Sequence, residues 1–255
     1  MTLREKAMLA EKAARASGAM LEHHGAFKVR RKAENDFVTE MDYKSEALIR
    51  EMLLTACPED AFFGEETGGP DRAQGRWIVD PIDGTTNFMR GERLYTISIA
   101  YEKQGQLCVG CVYCPATDEL FLGVRGEGAT LNGQPIHVSR TEELHDAVIH
   151  MGFGHRVRGN MERTLDVFPR LMPAMGDVRR TGTAAYDLCN VADGRADAFV
   201  ELGLQIYDLA AGYVILTEAG GRFTGWDEGD DGASTGNVLA TNGLLHAAIR
   251  DILKR

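Results

Sequence analysis

The sequence predicts an α+β protein, with an antiparallel sheet in its first half and a second, helix-layered sheet in its second half. Two observations carry that expectation. Residues 95 to about 138 break into short β-rich runs separated by turn signals, and from about residue 146 strand and helix alternate. The chain has 255 residues, enough to bury a sizeable core as one large domain or two small ones. No Pro/Ser-rich linker and no internal repeat divides it. Residues 1–255 therefore read as a single domain with subregions of about 1–145 and 146–255.

The elements follow in order. Residues 2–24 carry charges every few positions and read as an amphipathic helix that stops near Gly25. "TEMD" (39–42) is a capping box that opens a second helix running toward Cys57-Pro58. "YTISIAYE", "QLCVGCVYC", "ELFLGV", "ATL" and "IHV" are strands. Gln104-Gly105, Pro115 to Asp118, Gly126 to Gly128 and Asn132-Gly133 are the turns between them. Connections this short favour an antiparallel meander. Further on, strands are expected near 147–152, 177–181, 197–201 and 237–241. Helices are expected near 160–172, 183–193, 208–219 and 242–253.

The stretch "WIVDPIDGTTNF" (77–88) bears the chemistry. An apolar run ends in Asp80, a stiff Pro81-Ile82 pair follows, and then comes Asp83. Pro81 fixes its own φ and lacks an N–H, so the turn can aim both carboxylates and the Ile82 carbonyl at one point. Gly84-Thr85-Thr86 looks like a first helical turn, whose free N–H groups form an anion site. Hard divalent cations want oxygen ligands of this kind beside phosphate. Carboxylates for metals next to amides for phosphate describe a phosphoryl-transfer centre. One Asp before Gly-Thr is most often only a helix cap. Two other acidic spots read blandly alone. Glu65 and Glu66 in "FFGEETGG" are ordinarily solvated, and Asp208, at the start of an apolar helix, is ordinarily an N-cap.

Together the stretches resemble the inositol monophosphatase family of lithium-sensitive, magnesium-dependent phosphatases. "GEE" (64–66), "DPIDGTTNF" (80–88), "GTAAYDLC" (182–189) and "YDLAAGYVILTEAGG" (207–221) occur in family order, and the resemblance covers nearly the whole chain. It implies a five-layered α/β/α/β/α sandwich of the sugar-phosphatase type, a homodimer, and two or three Mg²⁺ per active site. The metal ligands implied are Glu65, Asp80, the Ile82 carbonyl, Asp83 and Asp208. The catalytic residues implied are Glu65, Thr85 and Asp83, with Glu65 and Thr85 orienting the attacking water and no covalent enzyme intermediate. Gly84 and Thr85 look like the phosphate cradle. Gly182, Thr183, Ala184, Glu201 and Asp208 match substrate-binding positions. Lys32 and Asp42 fall where the family carries a basic residue and an acid near the site. Two features depart from commoner forms: Tyr207 stands where Trp often precedes the metal Asp, and the loop after Glu66 is short.

The implied function is a phosphomonoesterase acting on inositol 1-phosphate or a similar small polyol phosphate. The same chemistry on histidinol phosphate, fructose 1,6-bisphosphate or adenosine 3′,5′-bisphosphate is the alternative within the family. A non-catalytic regulatory or binding protein on a phosphatase scaffold is the alternative outside it. Haloacid dehalogenase phosphatases share a "DGT" but place a nucleophilic Asp two residues before the second Asp. Pro81 stands there and cannot attack phosphorus.

Composition sets the outer bounds. A formal net charge of −10 argues against nucleic acid as a partner. No apolar run reaches membrane-spanning length and no signal peptide is evident, so a cytoplasmic location is expected. Five cysteines form no disulfide framework. "CVGCVYC" invites a metal reading, but on a strand Cys108 and Cys114 share one face and lie roughly 20 Å apart, with Cys111 on the other face. His23-His24 reads as a solvated helix end, and "RVRGNMER" (156–163) as a small basic loop able to attract an anionic substrate or partner.

Overall fold

The structure is a computed structural model that describes residues 1–23, 25–33, 36–153 and 158–254. It opens with α1 (Leu3–Glu22), β1 (Val29–Ala33), β2 (Asp36–Thr39) and α2 (Glu40–Ala56). Then come β3 (Ala61–Gly64), β4 (Gly75–Asp83), α3 (Thr85–Met89), β5 (Thr96–Lys103), β6 (Gln106–Cys114), β7 (Glu119–Val124), β8 (Gly128–Leu131) and β9 (Gln134–Pro135). The second half holds β10 (Val148–Met151), α4 (Arg158–Leu171), β11 (Asp177–Arg179), α5 (Ala184–Ala192), β12 (Ala198–Glu201), α6 (Ile206–Glu218), β13 (Arg222–Thr224), β14 (Val238–Thr241) and α7 (His246–Leu253).

Strands β3 to β9 form one sheet in sequence order. It is the expected antiparallel meander except at its edge, where β3 runs parallel to β4. The second sheet has the order β11-β10-β12-β14-β13 and is mixed, with β10 parallel to both β11 and β12. Helices α1 and α2 cover the outer face of the first sheet, α5 and α6 fill the space between the sheets, and α4 and α7 lie on the far face of the second. This is the five-layered α/β/α/β/α sandwich.

Three cores hold the five layers together. Trp77 and Val79 of β4 face Leu21, Ile49 and Leu53. Ile78, between them, takes the opposite face with Leu188, Leu209, Ile215 and Phe199. Val200 and Leu239 complete the third core with Val167, Leu171, Ile249 and Trp226. Because both faces of β4 are covered, it is buried along its whole length, and its Trp77-Ile78-Val79 run is apolar at consecutive positions rather than alternating. Each such large side chain contributes about 1.5–3 kcal/mol on burial, so the sandwich can offset a cluster of carboxylates held close together.

Helix boundaries follow local chemistry. Thr39 caps α2 through a full capping box with Asp42, as expected, and Thr2 does the same for α1. His23 ends α1 with Nδ1 2.8 Å from the Ala19 carbonyl; His24 and the start of the basic stretch, Arg156-Val157, lie outside the described residues. Helix α6 begins earlier than expected. Gln205 is its N-cap, and Asp208 sits in the first turn and accepts from the Gln205 N–H at 2.6 Å. Gly110 of β6 lets α6 approach this closely: a Cβ there would lie 2.1 Å from the Ala211 carbonyl oxygen. The five cysteines are free and buried, with Cys111 facing the α1 side.

Candidate functional site

Asp80 and Asp83 are three residues apart on β4, and a regular strand would send them to opposite faces. A bulge prevents this. Asp80 pairs with Ser98 and Asp83 with Thr96, so β4 spends one more residue than β5 over the interval. Pro81 lies inside it and has no N–H to give to the ladder. The Ile82 N–H turns back to Asp80 Oδ1 at 3.0 Å, and Ser45 of α2 donates to the Pro81 carbonyl at 3.0 Å. Both carboxylates and Ile82 thereby line one cavity.

Gly84 follows with φ at +95°, the left-handed conformation that lets the chain leave the strand and enter α3 at once. Thr85 opens that helix. Its hydroxyl lies 3.1 Å from the Ile82 carbonyl and 3.1 Å from Asp42 Oδ1. The Ala185 N–H at the start of α5 donates to Asp83 Oδ2 at 2.8 Å. Asn87 ties the segment to the same region by donating to the Leu94 and Thr181 carbonyls at 2.8 and 2.9 Å.

The remaining acids arrive from other elements. Parallel pairing of β3 with β4 leads the chain to Glu65, whose N–H donates to the Val79 carbonyl at 3.0 Å. Lys32 of β1 donates to Glu65 at 3.1 Å and to Glu66 at 2.6 Å. Asp208 is placed by the first turn of α6. Glu65, Asp80, Ile82, Asp83, Gly84, Thr85 and Asp208 all line the cavity named above.

The electrostatics are unfavourable without a cation. Burial pushes the Asp80 carboxyl well above its ordinary range, and Glu65, Asp83 and Asp208 push it further. Burial pushes Asp83 up to about 7 despite the Ala185 N–H, with Asp187, Glu65 and Glu201 adding to the shift. Glu66 also rises to about 7 by burial, against the pull of Lys32. An all-oxygen set of crowded acids fits a hard cation. Among the described residues the only trio of metal-type ligands within 4.8 Å of one another is Cys57, Glu59 and Asp60, and there the Lys6 ammonium already bonds Asp60.

A second cavity adjoins the first and shares Asp83, Arg180, Gly182 and Asp208 with it. Thr183, Ala184 and Glu201 line this second cavity, so the residues expected on the non-phosphate side of the substrate do come together. Thr183 caps α5 by accepting from the Tyr186 N–H.

Sequence reasoning missed three residues here. Arg180 lines both cavities, and Asp187 lines the second. His150 Nδ1 lies 2.5 Å from Asp187 Oδ1, and Thr181 donates to the same oxygen at 2.7 Å. An acid within the buried run "AAYDLCNVA" was the available signal.

Comparison with known proteins gives the family. The model of the inositol monophosphatase family matches residues 3–254. The chain belongs to that family. It is 42% identical over 227 residues to the inositol-1-monophosphatase of Mesorhizobium japonicum, covering 88% of this chain and 85% of that protein. It is 38% identical over 241 residues to the Nus factor SuhB of Vibrio cholerae, covering 92% of this chain and 90% of that protein. Among solved structures, the extragenic suppressor protein suhB from Bartonella henselae superposes with a TM-score of 0.92 at 37% identity, over 97% of each chain. The family is one of phosphatases, which implies a small phosphorylated substrate. No helix among the described residues is long and apolar enough to cross a membrane.

Proposed function

We propose that the protein is a Mg²⁺-dependent phosphomonoesterase that hydrolyses inositol 1-phosphate or a closely similar polyol phosphate. One observation carries the reading. Glu65, Asp80, Asp83, Asp208 and Ile82 line one cavity, and that cavity opens onto a second one lined by hydroxyl-accepting groups.

The four carboxylates and the Ile82 carbonyl would hold two or three Mg²⁺. Held there, Mg²⁺ supplies Lewis-acid stabilisation of the phosphoryl and leaving oxygens and lowers the pKa of water. The chain's own residues do the rest. Thr85, fixed by Asp42, orients the attacking water, and Glu65 accepts its proton. Gly84 and Thr85 offer first-turn amides to the phosphoryl oxygens. Glu201 and the Gly182–Ala184 turn receive the alcohol, whose hydroxyls donate to carboxylate oxygen. Lys32 holds Glu65 in place.

Relatives named inositol-1-monophosphatase support the polyol substrate, and the free, buried thiols suit a cytoplasmic setting. The family resemblance supports a homodimer. A second reading, a binding or regulatory role, has its own support: several relatives are named Nus factor SuhB. The full carboxylate set favours catalysis. Phosphate release from a panel of inositol, histidinol, fructose and adenosine phosphates, with Mg²⁺ and with or without Li⁺, tests the proposal. Inositol 1-phosphate should lead the panel and Li⁺ should inhibit. Another substrate far ahead would replace the polyol assignment, and no turnover of any ester would favour the binding reading.

A further inference from the structure

Arg180 stands where the two cavities meet, and among the described residues it is the only cation lining either of them. Around it are Glu65, Asp80, Asp83, Asp187, Glu201 and Asp208. A guanidinium in such company usually spends its donors on the acids. Among the described residues no side-chain hydrogen bond ties Arg180 to Asp83 or Asp187: Asp83 Oδ2 accepts from the Ala185 N–H, and Asp187 Oδ1 is met by His150 and Thr181. Among the described residues Arg180 packs on Phe153, with the guanidinium carbon 5.8 Å from the ring centre. Phe153 in turn has its ring centre 6.2 Å from that of Phe168 on α4. The aromatic contact positions the fork without consuming its N–H groups.

The neighbouring acid is held apart from it. Asp187 Oδ1 is already engaged by His150 and Thr181. Burial raises the Asp187 carboxyl, and His150, Thr181 and Arg180 each pull against that rise. Arg180 thus favours the charged form of Asp187 from a distance, without a hydrogen bond to it among the described residues.

A planar guanidinium matches two oxygens of a phosphate at once. The alcohol-side cavity beyond it carries Asp187 and Glu201, which accept from hydroxyls and repel anions. The anionic group that Arg180 meets is therefore the phosphoryl group at the junction, rather than a second charge deeper in the alcohol pocket. We infer that Arg180 is a substrate-binding residue that grips the phosphoryl group from the alcohol side, opposite the carboxylate cluster. This rests on the phosphatase reading above and adds to it a cationic contact shared by ester and product, whatever the alcohol.

The experiment compares wild type with Arg180→Met and Arg180→Lys in Mg²⁺. Arg180 is exposed, so both variants should fold, which a thermal melt checks. Arg180→Met should raise KM for the preferred monophosphate about tenfold and weaken inhibition by inorganic phosphate by the same factor, with kcat changed less. Arg180→Lys should recover part of both, since it restores charge without the fork. Unchanged phosphate inhibition in Arg180→Met overturns the inference. So does a KM loss confined to bisphosphates, which would make Arg180 a reader of a second anion. If wild type hydrolyses no ester, the phosphatase reading fails by itself. Calorimetric titration of inorganic phosphate into the Mg²⁺-loaded proteins then still decides about Arg180: about tenfold weaker binding to Arg180→Met supports the contact, and equal binding removes it.

Discussion

Thr85 Oγ1 lies 3.1 Å from Asp42 Oδ1, while the other oxygen of Asp42 accepts the Thr39 N–H and hydroxyl at 2.7 and 2.6 Å. One carboxylate thus closes the capping box of α2 and holds the hydroxyl proposed to orient the attacking water. The two duties separate by mutation. Thr39→Ala removes cap contacts and should cost about 1 kcal/mol of stability with kcat nearly unchanged. Thr85→Val removes only the hydroxyl and should lower kcat about 100-fold with little change in melting temperature. Asp42→Asn should do both, because its amide cannot accept on both sides. If Thr39→Ala lowers kcat as far as Thr85→Val, the link runs through the helix and not through the hydroxyl.

At Asp83 function and stability oppose each other. Its carboxyl is buried among like charges and pushed up to about 7. Asp83→Asn removes the charge and keeps an oxygen able to accept from the Ala185 N–H, which lies 2.8 Å from Asp83 Oδ2. In chelator the variant should melt no lower than wild type. In Mg²⁺ its phosphatase activity should be lost by more than about 100-fold. Near-normal turnover at saturating Mg²⁺ would remove Asp83 from the site.

Much of this was legible from the chain alone, because short motifs report local chemistry. The capping box at Thr39–Asp42 and the "DPIDGTT" turn depend on neighbours in sequence, and both are present in the structure. The bulge that brings Asp80 and Asp83 to one face was not legible, since it depends on which residues of β5 lie opposite. The parallel pairing of β3 with β4 escaped for the same reason. The charged hairpin of β1 and β2 shows no alternation that would mark a strand, yet it carries Lys32 to Glu65. Arg180 lies outside the quoted motifs, and Asp187, inside "GTAAYDLC", sits in a buried apolar run that gives no sign of a charge at a site. Their meaning arises only where the second sheet meets the first cavity.

Metal removal should show the crowding directly. Asp80 and Asp83 have folded pKa values raised above the ordinary 3.8, Asp83 to about 7. Between those limits the native state binds more protons than the unfolded chain, so this pair's contribution to metal-free stability falls as pH rises. Mg²⁺ competes with the same protons. The rise in melting temperature on adding Mg²⁺ should therefore be small near pH 5.5 and larger near pH 8. A shift independent of pH would mean that these carboxyls do not bind the ion.

His246 gives the opposite slope, far from the metal ligands in sequence and sheet. It is fully buried between two hydroxyls, with Nδ1 3.0 Å from Thr241 Oγ1 and Nε2 3.0 Å from Thr224 Oγ1. Thr224 donates to the Gly225 carbonyl, so it accepts from Nε2–H, and Thr241 is left to donate to Nδ1. This pattern of donors suits a neutral ring. Burial lowers the pKa from 6.5 to about 4, with Arg222 and Arg250 adding to the effect. Between about pH 6.5 and 4 the unfolded chain takes a proton that the native state refuses, so stability falls as pH falls through that window and levels off below it. His246→Gln cannot titrate. Its deficit relative to wild type, measured by urea unfolding in Mg²⁺, should narrow steadily from pH 7 to pH 4.5. A deficit that stays constant across that range would show that the ring titrates alike in the native and unfolded states, which would remove the burial effect.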